Sequence, residues 1–185
     1  MIELTADILH AMLPMATDRA ISKFLAPLNI TFNEFAINTK ERIAAFIAQI
    51  GYESGSLRYV EEIASGVNYE FREDLGNLEF EALQIAHANY STTGKFYKGH
   101  GLIQITGYYN HKACAEALKI DCIHHPKLLC EPLNAARSAG WFWSEHGCNS
   151  YADLGNINHI TRIINGGYNG KDEREKMYHH CLKVL

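Results

Sequence analysis

Three carboxylates in one stretch have the most chemistry to offer: Glu53, Glu61 and Glu62, within AAFIAQIGYESGSLRYVEE, residues 44–62. Ile43, Phe46, Ile47 and Ile50 recur at helical spacing, and one more turn of that stripe reaches Glu53. A carboxylate then falls on the core-facing side of a helix, at its C-terminal end, just before Gly55. Partial desolvation disfavours the charged form there, and so does the negative end of the helix dipole. A group kept protonated near neutrality can serve as a general acid. A Glu that ends its helix and turns outward fits the same periodicity.

Glu61 and Glu62 follow eight and nine residues later, past a Gly-containing turn and in a more polar run. A carboxylate that stays ionised and solvated suits a general base. Two acids in opposite environments across a cleft is the arrangement that glycoside hydrolysis uses. Most paired glutamates are plain surface charge, and spacing alone does not choose between Glu61 and Glu62.

The elements that must position these groups read as helices. Thr5 caps a first helix bearing Ile8, Leu9 and Met12, and Asn38 or Thr39 caps the one that carries Glu53. Further helical patterns run over about 108–118, 134–146, 157–165 and 171–184, with Gly147 and Gly166 where C-caps belong. The stretches 51–58, 65–78 and 91–107 read as loops. Alternating strand patterns are scarce, so the fold class is mainly α, with room for one short β-hairpin near 95–105. With four prolines, no linker and no internal repeat, the chain reads as a single domain over residues 1–185.

Bulk properties exclude more than they assign. A net charge of -4 gives no general attraction to nucleic acid or to anionic membranes. No apolar run approaches roughly 18 residues, so no membrane insertion is expected. The start, MIELTADILHAMLP, lacks a basic n-region and carries Glu3 and Asp7, so no signal peptide is expected. Cys114, Cys122, Cys130, Cys148 and Cys181 form no C-x-x-C pair and read as mostly free thiols of a reducing compartment. None sits in a recognisable nucleophile turn. Ten histidines suggest zinc, yet H-E-x-x-H is missing, and His124–His125 and His179–His180 are adjacent rather than i, i+4. No metal is therefore expected. Trp141 and Trp143, with Phe142 between them in an Ala-rich helical run, read as core rather than as a sugar platform.

Taken with KGHGLIQITGYYNH (98–111), AARSAGWFW (135–143) and ITRIINGGYNG (160–170), the 44–62 segment resembles glycoside hydrolase family 19. That family holds the plant-type chitinases and a group of phage endolysins. The four motifs stand in the family's order and roughly its spacing, from about residue 40 to the C-terminus. The compact chain with LRYVEE soon after the acid is most similar to the phage and prophage lysins.

Carried over residue by residue, the resemblance implies Glu53 as general acid and Glu62 as general base, which favours Glu62 over Glu61. Thr106 matches the hydroxyl that helps hold the attacking water. A hydroxyl can donate and accept together, and capping the helix that starts at Tyr108 is a second role for it. Gln104, Tyr109 and Asn110 match positions lining the sugar cleft, and Asn165 a substrate-contacting Asn. Arg174 matches a C-terminal Arg that pairs with the acid network. Two positions depart: the family's His before the acid is Tyr52, and the Arg of its G-R-G motif is His100. His100 keeps a donor but loses the bidentate fork.

The resemblance further implies a lysozyme-like fold, two helical lobes flanking a substrate cleft. It implies inversion in one displacement, with the two carboxyl groups roughly 6.5–9.5 Å apart to admit a water. No cofactor is implied. Chitin and the peptidoglycan glycan strand share the β-1,4 linkage and the N-acetyl group, so the catalytic residues do not separate them. Small size, no export signal, no carbohydrate-binding module and the similarity to lysins favour peptidoglycan. The expectation is a monomeric endolysin, an N-acetylmuramidase made in the host cytoplasm and reaching the wall once the membrane is permeabilised. The alternatives are a chitinase and, given Tyr52 and His100, a catalytically inactive glycan-binding relative.

Overall fold

The computed structural model describes residues 2–185. Its helices are α1 (Ala6–Met12), α2 (Asp18–Glu34), α3 (Lys40–Glu53), α4 (Phe80–Ala88), α5 (Thr93–Phe96), α6 (Tyr108–Leu118), α7 (Pro132–Glu145), α8 (Cys148–Asp153), α9 (Ile157–Asn165) and α10 (Lys171–Val184). Short 3-10 turns occupy Val67–Tyr69, Glu73–Leu75 and Pro126–Cys130.

The central element is α3. Every residue from Ile43 to Gly51 is buried, so this helix is wrapped on all sides rather than along one stripe. Thr39, not Asn38, caps it: the Thr39 hydroxyl accepts from the Arg42 N–H at 3.2 Å. Helix α10 packs along α3, and α2 along α7. Phe46 of α3 meets Phe32 of α2 and Trp143 of α7 edge-on, with ring centres 5.8 and 5.3 Å away. Trp141 and Trp143 are buried core, as their setting implied. Gly147 and Gly166 follow α7 and α9 in the left-handed conformation that ends helices.

Four helices lie where none was expected: α2, α4, and the short α5 and α8. Pro27 lacks an N–H and reads as a helix breaker, yet α2 runs through it. The stripe Ile21, Phe24, Leu28 and Phe32 is buried, and the Thr31 hydroxyl donates to the Pro27 carbonyl at 2.9 Å. Burial of the stripe outweighs the one missing bond. Helix α4 buries only Ala82 and Ala86, too little apolar surface to register as a period.

The 95–105 region is no regular hairpin. Among the described residues it holds two isolated antiparallel bridges, Glu61 with His100 and His100 with Ile105. The chain turns back at once through Gly101–Gln104, leaving no length for a ladder. A second, small apolar cluster of Ala82, Tyr97 and Tyr108 is separate from the main core and gives α4–α6 a centre of their own. Among the described residues no helix is long and apolar enough to cross a membrane. All five cysteines are free.

Candidate active site

Glu53 is the last residue of α3, its side chain 19% exposed. The helix stops because Gly55, Ser56 and Leu57 take φ of +58°, +60° and +65°. For Ser56 and Leu57 that left-handed turn costs about 1–2 kcal/mol each. It persists because its surroundings over-determine it. The buried Ser54 hydroxyl donates to the Ile50 carbonyl at 2.6 Å and accepts from the Leu57 N–H at 2.8 Å, and Leu57 is itself buried. The chain is thereby held rigid immediately after the acid.

Arg174, entirely buried on α10, places Nη2 on the Glu53 carboxylate. Nη1 donates to Gln49 Oε1 at 2.6 Å and Nε to the Asn169 carbonyl at 3.3 Å. The Gln49 amide continues the chain to the Thr161 hydroxyl at 3.1 Å. Under the guanidinium lies the Tyr52 ring, 4.2 Å from Arg174 Cζ to its centre. Gly170 makes the room, since a Cβ there would stand 2.1 Å from Tyr52 Cζ. Tyr52, where the family has His, thus offers Arg174 a π face in place of a charge. A buried guanidinium needs a counter-charge, and Glu53 supplies it. The acid thus faces a buried cation as well as the end of its own helix.

Glu62 is half-buried rather than openly solvated. Oε1 accepts from the Tyr69 hydroxyl at 3.0 Å and Oε2 from the Gly99 N–H at 3.0 Å. The backbones pair as well, Glu62 N–H to Gly99 carbonyl at 2.8 Å. A Cβ on Gly99 would fall 2.7 Å from Gln104 Oε1 and 3.3 Å from Glu62 Oε2, so the bare glycine lets these two side chains converge. Tyr69 and Gln104 line a groove of about 390 Å³ together with Thr106, Asn110, Phe142 and Asn165.

Glu61 is engaged elsewhere. Its Oε1 pairs with Lys98 at 3.0 Å and Lys127 at 3.6 Å, beside a different recess that holds His100, His124 and Pro126. Burial would raise its carboxyl, but the Lys98 hydrogen bond and charge, with Lys127, hold it below the usual carboxylate range.

The other expected site residues fall into two groups. Gln104, Thr106, Asn110 and Asn165 share the groove wall, while Tyr109, Arg174 and the two acids Glu53 and Glu62 are not part of its lining. The Thr106 hydroxyl donates to the Gln104 carbonyl at 2.9 Å, and the Asn110 amide to the Thr106 carbonyl at 2.8 Å. Thr106 does not cap α6. That helix starts from Gly107, at φ +87°, with no side-chain cap. Gln104 has φ +59°, held by its amide donating to the Gly101 carbonyl at 2.9 Å. Tyr109 is exposed and donates its hydroxyl to Glu79. Asn165 Oδ1 accepts from the Asn169 N–H at 3.2 Å, closing the turn whose Asn169 carbonyl holds Arg174.

His100 is buried, its Nδ1 3.2 Å from His111 Nε2, and His111 Nδ1 lies 2.8 Å from the Gly107 carbonyl. Burial pushes His100 down to about 4 and His111 to about 3, so both are neutral at neutral pH. The carbonyl requires a proton on His111 Nδ1, and His100 Nδ1–H then donates to His111 Nε2. The pair braces the 98–107 turn that carries Gly99, Gln104 and Thr106.

Sequence reasoning missed Tyr69, His111 and Phe142 as site or supporting residues. Tyr69 lies in a stretch read as loop. Burial, then its bond to Glu62, raises its hydroxyl above the ordinary tyrosine value, so it stays a donor. Phe142 was grouped with the core tryptophans but lines the groove.

The family description chitinase class I, of glycoside hydrolase family 19, matches residues 25–152. The chain is 31% identical over 160 residues to a glycosyl hydrolase family 19 domain-containing protein of Haemophilus influenzae, covering 75% of this chain and 78% of that one. It is 36% identical over 129 residues to an endochitinase of Arabidopsis thaliana, covering 69% of this chain and 40% of that one. The chain thus spans about two fifths of that plant relative. Chitinase C from Streptomyces griseus HUT6037 superposes with a TM-score of 0.71 at 22% identity, over 97% of this chain and 75% of that one. A class IV family 19 chitinase from Zea mays gives 0.69 at 20%, over 98% and 92%. The fold is the lysozyme-like one, mainly helical.

Proposed function

The chain belongs to glycoside hydrolase family 19, and on that premise we propose that it is an endolysin cutting the β-1,4 bonds of bacterial peptidoglycan. It is a glycoside hydrolase. Glu53 protonates the glycosidic oxygen as the bond breaks. Glu62 takes a proton from a water that attacks the anomeric carbon from the opposite face, with Thr106 helping to hold that water. Gln104, Asn110 and Asn165 bind the sugars along the groove, and Tyr109 contributes as a further sugar contact. Arg174 and Tyr52 orient the acid.

The observation that carries this assignment is the contrast between the two neighbouring acids. Glu62 accepts from the groove-lining Tyr69 and from the Gly99 N–H, free of any ion pair among the described residues, whereas Glu61 is tied to Lys98 and Lys127. Retention of both Glu53 and Glu62 in the sequence also argues against an inactive glycan-binding relative.

Peptidoglycan is supported by the lysin-like LRYVEE segment. On this reading the protein is a monomeric N-acetylmuramidase that reaches the wall after the membrane is permeabilised. A chitinase is the second reading, favoured by the plant relatives, which are endochitinases. Parallel digestion of purified peptidoglycan and chitin, with and without EDTA and with fragments identified by mass spectrometry, separates the two. Muramic acid at new reducing ends, insensitive to chelation, supports the endolysin. Intact sacculi with chitin cleaved supports the chitinase, and released peptides overturn both.

A further inference from the structure

We infer that the surface formed by residues 12–23, the turn after Glu53 and the adjoining edge of α10 is a docking site for anionic phospholipid. Two recesses meet there. The first, of about 310 Å³, lies between the start of α2 and Ser56–Arg58 and is lined by Arg19, Lys23 and Arg58 without a single carboxylate. None of these three takes part in the ion pairs found among the described residues. In a chain with 21 acids and 17 lysines and arginines, three cations facing one recess with no acid among them is a marked local reversal of charge.

The second recess, of about 300 Å³, shares Met15 and Ser56 with the first and runs between the 12–15 segment and α10. Met12, Leu13, Pro14 and Met177 make its walls mostly apolar, with Lys176 and His180 also lining it. Met15, 77% exposed, stands where the two join.

A cationic recess continuous with an apolar one matches an anionic head carrying a hydrocarbon tail. A free anion would leave the apolar half empty, and an apolar peptide would leave three cations without counter-charge. The chain's net charge of -4 does not oppose this, because a patch in contact with a bilayer acts within a Debye length of about 8 Å. Each Lys or Arg at an anionic surface strengthens binding roughly fivefold, so three together give about a hundredfold. Docking of this kind is peripheral, without insertion, and stands apart from which polymer the groove cuts.

The test is co-sedimentation of the full chain with vesicles of phosphatidylcholine alone and of phosphatidylglycerol mixed with phosphatidylcholine, at low and high salt. The proposal expects binding to the mixed vesicles only, weakened by salt. The triple variant Arg19→Gln, Lys23→Gln, Arg58→Gln should lose about a hundredfold. Met15→Ser should weaken binding by a factor that does not change with salt. All variants should keep the wild-type circular dichroism and wild-type turnover of soluble glycan fragments. No binding to phosphatidylglycerol, undiminished binding of the folded triple variant, or full displacement by inorganic phosphate at matched ionic strength would each overturn it.

Discussion

Arg174 and Glu53, 121 residues apart in sequence, form an ion pair in which the guanidinium is wholly buried and the carboxylate retains partial access to solvent. The acid and the helix that closes the chain are thereby one unit. Replacing the Glu53 carboxyl by an amide does two things. Glu53→Gln should lower turnover by about 10²–10⁴-fold, the usual worth of a general acid. It should also lower the melting temperature, because the amide leaves a buried guanidinium without its counter-charge. Adding Arg174→Met should recover part of the stability and none of the activity. Thermal melts beside turnover measurements check this, and a single variant as stable as wild type would contradict it.

Glu61 and Glu62 should respond oppositely to the same change. Glu62→Gln is expected to reduce kcat by about a hundredfold or more with KM little altered. Glu61→Gln removes a partner of Lys98 and Lys127 and should leave kcat within a few-fold. Steady-state kinetics on one soluble substrate decides it.

Tyr69 should act through Glu62 rather than on the sugar. Tyr69→Phe keeps the ring against the groove and deletes one donor to the carboxylate. A hydrogen bond to a charged group contributes about 1.5–3 kcal/mol, so kcat should fall roughly ten- to a hundredfold. KM should stay nearly constant. A rise in KM with kcat unchanged would instead make Tyr69 a sugar contact.

The buried histidine pair predicts acid sensitivity. Both folded values, about 4 for His100 and about 3 for His111, lie below the ordinary 6.5, so the unfolded chain binds more protons between them. Stability should be fully present above pH 6.5 and fall progressively as the pH drops towards 4, by on the order of 3 kcal/mol for His100 alone. Denaturation midpoints from pH 7 to 4.5 measure this. His111→Gln should flatten the slope, since one of the two depressed groups is gone.

The helix carrying Glu53 was legible because Ile43, Phe46, Ile47 and Ile50 repeat on one side and Asn38 or Thr39 marks its start, the structure choosing Thr39. Helices α6, α9 and α10 were placed at their observed ends, and α7 within two residues. Helix α2 was not read from the sequence, because its stripe of Ile21, Phe24, Leu28 and Phe32 is secured by packing against residues over a hundred positions away. The same limit applies at the site. Glu53, Glu62, Gln104 and Thr106 sit in recognisable motifs, whereas Tyr69 and His111 matter only through partners that the fold brings to them. Thr106 illustrates the converse. A hydroxyl two residues before a helix looks like a cap, but the left-handed Gly107 starts α6 without one.

Two-carboxylate catalysis by Glu53 and Glu62 rests most directly on the stereochemistry of the bond they break. Proton NMR of the anomeric signals in the first minutes of hydrolysis, on whichever polymer fragment is cleaved, reads it before mutarotation. Inversion by these two acids predicts the α-anomer appearing first from a β-linked substrate, and not at all with Glu62→Gln. Initial release of the β-anomer would make the second carboxylate a nucleophile and contradict it.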